Sequence, residues 1–427
     1  MTLIKRIEKV KLVHPSYLCN PCYPWSGFLC RADSRRLLPL LSGLAGLWLI
    51  ALACGPVIAA PPVREARKAT ATRADRRLNA LLEPIRRKHD LPALAAAIVT
   101  SDGDVLVGAV GVRKRGDATP VTVGDKFHIG SCSKAMTAAV IATLVEDGTL
   151  DWDTKLDEYF PEQSKRMDPR LREATLVHLL THRSGLADLG MDAWWEISRD
   201  RGGLLKQRAE AARRALTGKL ASDPGAAFLY ANVNHVVAAA AAERATGKTW
   251  EELIQARLFR PLGMSTAGFG PMSAAGTVNQ PWSHTADGKP DASDGAAADN
   301  PPVLGPAGRI HCSLEDWGKF VADQLRGARG EPGLLKKETY QRLNTAPFAD
   351  STYTIGGWTA WDAPLAPALI HAGSNTKNFA TALLVPSKGF AILVATNQGP
   401  ANPDKGPPVE ACWEAREALV KLFLERD

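Results

Sequence analysis

The chain has 427 residues, 45% of them hydrophobic and 23% charged, with a formal net charge of +7. That is an ordinary globular composition, sufficient for one large domain or two modest ones with a sizeable core. The basic excess is not evenly spread: residues 1–59 hold seven Lys or Arg against two acidic residues, which leaves 45 basic and 43 acidic residues, a net +2, in 60–427. Nucleic-acid binding thereby loses its main support.

The N-terminal excess sits where an export signal needs it. Arg35 and Arg36 precede an apolar run from about Leu37 to Ala53, and small residues follow at Val57, Ala59 and Ala60. This pattern reads as a leader over 1–59, cleaved after Ala59, that delivers a domain spanning 60–427 to the periplasm or the exterior. Two other readings of the run stay open. It is near the length of a retained membrane anchor, and Cys54 is a site for lipid attachment. The long, cysteine-containing lead before Arg35 is unusual for a signal and raises a misplaced start codon. Removing the leader takes Cys19, Cys22, Cys30 and Cys54 with it. Cys19 and Cys22 have no second pair or histidine set nearby to suggest zinc. The remaining Cys132, Cys312 and Cys412 make no disulfide framework, and Cys312 and Cys412 read as free buried thiols rather than a bridge.

Arg64 to His89 carries Leu78, Leu81, Leu82 and Ile85 at helical spacing and predicts an amphipathic helix with a basic outer face, ended by Pro92. "ALAAAIVTSDGDVLVGAVGVRK" predicts two strands about Ser101-Asp102-Gly103-Asp104, the start of an antiparallel sheet. "FHIGSCSKAMTAAVIATLVEDG" begins as a small-residue turn and continues as an amphipathic helix from Gly130 to Glu146. A short helix follows in "ATLVHLLTHRSGL", then more helix from Trp194 to Thr217, then a loop entering a long alanine-rich helix. Residues 270–305, rich in Gly, Ala, Pro and Asp, read as irregular surface. "FATALLVPSKGFAILVATN" predicts a second hairpin, and Val409 to Glu425 a last helix with Trp413, Ala418, Leu419 and Leu422 near one face. Strands at both ends with helices between predict one antiparallel sheet completed by distant parts of the chain, flanked by helices, with a helical insert over roughly 150–300.

Lys134 is the residue that needs explaining. A lysine near the start of a buried helix faces desolvation and the positive end of the helix dipole. Ser131, three residues earlier, lies on the same face one turn away, at the helix N-terminus, where free N–H groups favour a developing oxyanion. A lysine held near-neutral by desolvation would take the serine's proton. Tyr230-Ala231-Asn232 offers a phenol that can relay a proton and an amide able to hold a neighbouring lysine and a substrate carbonyl. In His371-Ala372-Gly373-Ser374, Gly373 would allow close approach of substrate, and the Ser374 N–H would complete an oxyanion hole with that of Ser131. Each motif alone is common, and their weight comes from order and separation.

"GSCSK", "YAN" and "HAG", with "HLLTHRSGL" between the first two and "TGKTWEELIQARLFRPLGM" after the second, resemble the serine β-lactamase-related family. That family includes class C β-lactamases, DD-peptidases, and related esterases and amidases. The resemblance runs from about Leu91 to Leu424. It implies Ser131 as acylated nucleophile, Lys134 and Tyr230 sharing general base and acid duties, and Asn232 positioning them and the substrate. It also implies a site between the sheet and the helical subdomain, and no metal or organic cofactor. The third motif departs from the family pattern. Class C enzymes and DD-peptidases usually carry Lys-Thr-Gly there, with the lysine attracting a substrate carboxylate, whereas His371 near a reference pKa of about 6.5 is mostly uncharged at neutral pH.

The sequence therefore predicts a secreted serine hydrolase acting on a small molecule or peptide with a reactive carbonyl, esterase-like or peptidase-like. A β-lactamase proper is one alternative. A non-catalytic cell-wall-peptide or penicillin-binding module is the other, its basic N-terminal helix docking on the cell envelope. Trp358 to Trp361 is a candidate aromatic wall with core packing as its default role. His178 and His182, spaced i, i+4, are expected to be structural, since no acid completes a metal motif. Cys132 is expected to point away from Lys134.

Overall fold

The computed structural model of the chain describes residues 75–293, 298–361 and 367–425. The expected leader over 1–59, with Cys19, Cys22, Cys30 and Cys54, and residues 64–74 of the first expected helix lie outside the described residues.

Helix α1 (Arg76–Lys88) opens on Asp75, whose carboxylate accepts from the N–H groups of Arg77 and Leu78 and so satisfies two of the helix's free donors. Strands β1 (Ala93–Thr100) and β2 (Val105–Gly111) pair antiparallel about the turn at Gly103, whose φ of +92° suits glycine. Near the other end, β6 (Thr359–Trp361), β7 (Ala368–Ser374), β8 (Phe379–Val385) and β9 (Phe390–Thr396) follow as antiparallel neighbours. β9 then pairs with β1, Leu94 facing Thr396, so the ends of the chain close one six-stranded sheet in the order β2-β1-β9-β8-β7-β6. A second small sheet, β3-β5-β4, joins Lys126–His128 (β3), Gly268–Phe269 (β4) and Ile310–Ser313 (β5).

The large sheet is buried on both faces. On β1, Leu94, Ala96 and Ile98 meet Leu78, Leu82 and Ile85 of α1 and the C-terminal helix, while Ala93, Ala95, Ala97 and Val99 face the larger core. Strand alternation thus divides one apolar run between two cores, which is why β1, β8 and β9 show no polar face. Into the larger core run α2 (Ser133–Glu146), α3 (Leu176–Leu180), α4 (Met191–Ser198), α5 (Leu204–Leu216), α6 (Asn232–Thr246), α7 (Trp250–Ile254) and α8 (Leu314–Ala328). Among the described residues no helix is long and apolar enough to cross a membrane.

Four expectations need correction. α2 is not amphipathic: every residue from Ser133 to Ala142 is buried, because the helix runs between the sheet and the other helices. The stretch from Trp194 to Thr217 is two helices, broken at Gly202-Gly203, with Gly203 at φ +85°. The last helix, α9 (Pro407–Leu424), turns Val409, Cys412, Ala415 and Leu419 inward, and Trp413 lies instead beneath the Arg416 guanidinium, 3.9 Å from its ring centroid. The described part of 270–305 is largely irregular but not all surface, since Met272, His284 and Asp299 are buried. Cys132, Cys312 and Cys412 are free and buried.

Candidate active site

β3 leads through Ile129 into a single 3-10 turn, Gly130–Cys132, which continues into α2. The Ser133 hydroxyl donates to the Gly130 carbonyl at 2.7 Å and ties the turn to the helix. Ser131 and Lys134 share a face, and Lys134 Nζ donates to Ser131 Oγ at 3.0 Å, to Asn232 Oδ1 at 2.9 Å and to the Ala307 carbonyl at 2.7 Å. Lys134 is fully buried. An ammonium has three protons, and three acceptors meet them, which offsets the desolvation that the sequence left unexplained. Tyr230 donates its phenolic proton to Ser131 Oγ at 2.8 Å. The serine oxygen therefore sits between a lysine nitrogen and a tyrosine oxygen, both at hydrogen-bond distance.

Tyr230 and Asn232 are held by residues that the motifs did not single out. The Asp188 carboxylate accepts from the N–H groups of Asn232 (3.0 Å) and Val233 (3.1 Å) and from Asn232 Nδ2 (3.2 Å). It caps α6 where a helix favours an anion, and it fixes the Asn232 amide so that Oδ1 is left for Lys134. His182 lies against Tyr230, their ring centroids 4.4 Å apart at 30°, and its Nδ1 accepts from the Ala231 N–H at 3.2 Å. On Tyr230, Lys134 Nζ stands 4.8 Å from the ring centroid. Burial first and the Lys134 charge second push the His182 pKa well below 6.5, so it acts as a neutral acceptor. His178 has a separate task, taking the Thr175 N–H on Nδ1 at 3.2 Å to cap α3. Among the described residues no group of three or more His, Cys, Asp or Glu converges as a metal site.

β7 forms the other wall. A Cβ on Gly373 would lie 2.2 Å from the Ile129 carbonyl oxygen, 2.6 Å from Ser131 N and 2.7 Å from Cys132 N. Gly130 has φ +51°, and a Cβ there would lie 2.4 Å from Ser374 N. The serine turn and the strand thus meet backbone to backbone, a closeness that requires glycine on both sides. The Ser374 hydroxyl donates to the Asn378 carbonyl at 2.8 Å. Trp358 packs in the core 6.5 Å from the His371 ring, whereas Trp361 lies against the opposite core near Arg416, so the two indoles share no pocket wall. The Cys132 thiol is buried beside the serine, and that burial raises its pKa, which leaves it a poor nucleophile.

His371 is 1% exposed, its ring between those of Tyr353 and Trp358. Burial, then the Lys134 charge, lowers its pKa from 6.5 to about 3. It is neutral at any physiological pH, further from a cation than its reference value alone suggests. A depressed folded-state pKa means that the unfolded chain binds the proton first as pH falls. The histidine's contribution is then complete above about 6.5 and is lost between 6.5 and 3. At pH 5.5 the loss is about 1.4 kcal/mol. Urea denaturation at pH 7.5 and 5.5 should show a stability drop in the wild type that is smaller by about that amount in His371→Asn. Equal drops would mean that His371 is solvated.

The β-lactamase family model matches residues 78–412. The chain belongs to the β-lactamase family. Penicillin-binding protein 4 of Amycolatopsis lactamdurans is 27% identical over 333 residues, 75% of this chain and 84% of that protein. An esterase of Burkholderia gladioli is 30% identical over 202 residues, 45% of this chain and 51% of the esterase, so the match spans about half of that relative's length. Among solved structures, the D-amino acid amidase of Ochrobactrum anthropi SV3, in complex with L-phenylalanine, superposes with a TM-score of 0.65 at 19% identity, covering 82% of this chain and all of that one. The last comparison establishes the shared fold, an antiparallel sheet flanked by helices, which several chemistries use within the β-lactamase family.

Proposed function

We propose that the protein is a serine hydrolase that forms an acyl-enzyme on Ser131 and cleaves an ester, amide or peptide bond. The observation that carries this is the placement of Ser131 Oγ between Lys134 Nζ and Tyr230 OH, 3.0 and 2.8 Å away. In this reading the reacting form of Lys134 is the neutral amine, reached by losing one proton from the resting ammonium: its two N–H bonds stay on Asn232 Oδ1 and the Ala307 carbonyl, and its lone pair takes the Ser131 proton as Oγ attacks the substrate carbonyl carbon. The tetrahedral oxyanion rests on the N–H groups of Ser131 and Ser374, and the proton is returned through Tyr230 to the leaving group. Water then attacks the acyl-enzyme, giving up its proton to the same pair. Asn232 holds Lys134 through Oδ1 while its Nδ2 is tied back to Asp188. Residues 1–59, basic and then apolar, direct this chemistry to the periplasm or the exterior.

The neutral, buried His371 gives the reaction its bias. It supplies no cation where the related lactam-recognising enzymes place a lysine, and a lost charge-assisted contact costs about 1.5–3 kcal/mol. A short-chain p-nitrophenyl ester is therefore expected to exceed a chromogenic cephalosporin in kcat/KM by about tenfold to a hundredfold. Steady-state assays of both substrates on the same preparation read the ratio. A cephalosporin kcat/KM equal to or above that of the ester would make the protein a β-lactamase proper and leave carboxylate anchoring to another residue.

A further inference from the structure

The expected oxyanion hole is built from two backbone segments far apart in sequence, the turn at Ser131 and the strand end at Ser374. One buried carboxylate joins them. The Gly130 N–H donates to His128 Nδ1 at 3.1 Å. That nitrogen must then be unprotonated, so the proton of the neutral ring is on Nε2 and is donated to the Asp299 carboxylate at 3.1 Å. The same carboxylate accepts from Asn375 Nδ2 at 2.7 Å, beside Ser374, and lies 3.5 Å from Arg309 Nε. Next in sequence, Asn300 donates through Nδ2 to the Gly308 carbonyl at 2.8 Å. Gly308 follows Ala307, whose carbonyl accepts from Lys134. His128, Asp299 and Asn375 are all at least 95% buried.

We propose that His128 and Asp299 are positioning residues that clamp the Ser131 turn and the Ser374 strand end in register, and so set the spacing of the two oxyanion-hole N–H groups. The inference rests on the reading of Ser131 and Ser374 given above, and it assigns work to two residues that touch no reacting atom. The turn and the strand meet backbone to backbone at Gly130 and Gly373, and such a contact has no side chains of its own to fix its register. The clamp supplies that register from behind: one arm runs through the imidazole to the Gly130 N–H, the other through the Asn375 amide to the residue after Ser374. A displacement of about 1 Å at a reacting centre can cost about a hundredfold in rate.

The test uses two substitutions that cut the clamp at different points. His128→Asn places an amide oxygen near the Nδ1 position, keeps an acceptor for Gly130 and no longer reaches Asp299. Asp299→Asn presents an amide N–H₂ among groups that are all donors. For the p-nitrophenyl ester each is expected to lower kcat about tenfold to a hundredfold with KM within threefold of wild type. The double variant should be no worse than the poorer single, because both act through one link. If Asp299→Asn does not fold, Asn375→Ala cuts only the strand arm and carries the same expectation. Hydrogen exchange supplies a readout independent of turnover: peptides covering 127–133 and 371–378 should exchange at least about tenfold faster in the variants, with α9 unchanged. Should Ser131 prove not to be the nucleophile, the exchange result still decides the clamp. Wild-type kcat in a folded variant, multiplicative losses in the double, or unchanged exchange in both segments would overturn it.

Discussion

Ser131→Ala is expected to lower kcat for the p-nitrophenyl ester at least about 10⁴-fold and to abolish the acyl adduct seen by intact mass. The size follows from what the oxygen does in the proposed reaction: without it no acyl-enzyme forms, and neither Lys134 nor Tyr230 has a nucleophile to deprotonate. The substitution is sterically mild. Ser131 is in a 3-10 turn with its backbone already packed against Gly373, and alanine keeps that backbone while removing one oxygen. Unfolding free energy should change by about 1–2 kcal/mol at most, the range for hydrogen bonds lost at one group. A folded, inert variant is therefore the expected outcome. Cys132→Ala is the companion, because its thiol is the neighbouring nucleophile in sequence; with that thiol buried and its pKa raised, turnover should persist. Ester turnover in Ser131→Ala within tenfold of wild type would move catalysis to another residue.

What could be read in advance depended on whether a feature is local. Both hairpins are announced by glycine turns between apolar runs, and the closing of the sheet by β1 and β9 follows from strands at both ends of the chain with nowhere else to pair. The S-x-x-K spacing put Ser131 and Lys134 on one face because helix geometry fixes it within four residues. The partners that complete the site were not legible, since each is a long-range contact made by a residue with no local signature. Asp188 lies 44 residues before Asn232, and Asp299 lies 171 after His128. Nothing in "DGAAADNPPV" distinguishes an aspartate buried under the serine turn from one in a surface loop.

Helix α2 was misread as amphipathic for a related reason. A helix rich in small apolar residues is buried on all faces when neighbours approach from every side, and its small residues permit the approach. Periodicity reports amphipathic faces and is silent when there is no polar face. In α9 the expected Leu419 enters the core, whereas Trp413, Ala418 and Leu422 are only partly buried against it, Trp413 beneath Arg416, and the smaller Cys412 and Ala415 go deeper.

Lys134 gives the second large effect, and its value lies in separating proton transfer from charge. Lys134→Met preserves length and volume and is expected to cost about 10³–10⁴-fold in kcat, the upper part of the usual range for a general base. Lys134→Arg keeps a cation but cannot accept a proton at any accessible pH, and its planar fork does not match three acceptors at 2.7–3.0 Å around one nitrogen. It should be as inactive as Met. Were Lys134 only an electrostatic prop, arginine would restore much of the rate, so that result would exclude it as the base. Stability should change little while activity is lost. Methionine takes the Nζ donor from the Asn232 and Ala307 oxygens, at about 1–3 kcal/mol for each buried acceptor, but it also removes an ammonium whose burial costs several kcal/mol. Those terms nearly cancel, so urea denaturation should place Lys134→Met within about 2 kcal/mol of wild type while turnover is lost. A group that depresses rate by orders of magnitude without holding up the fold is one whose burial the protein tolerates for chemistry. A Met variant that lost rate only in proportion to its unfolded fraction would instead make Lys134 a structural residue.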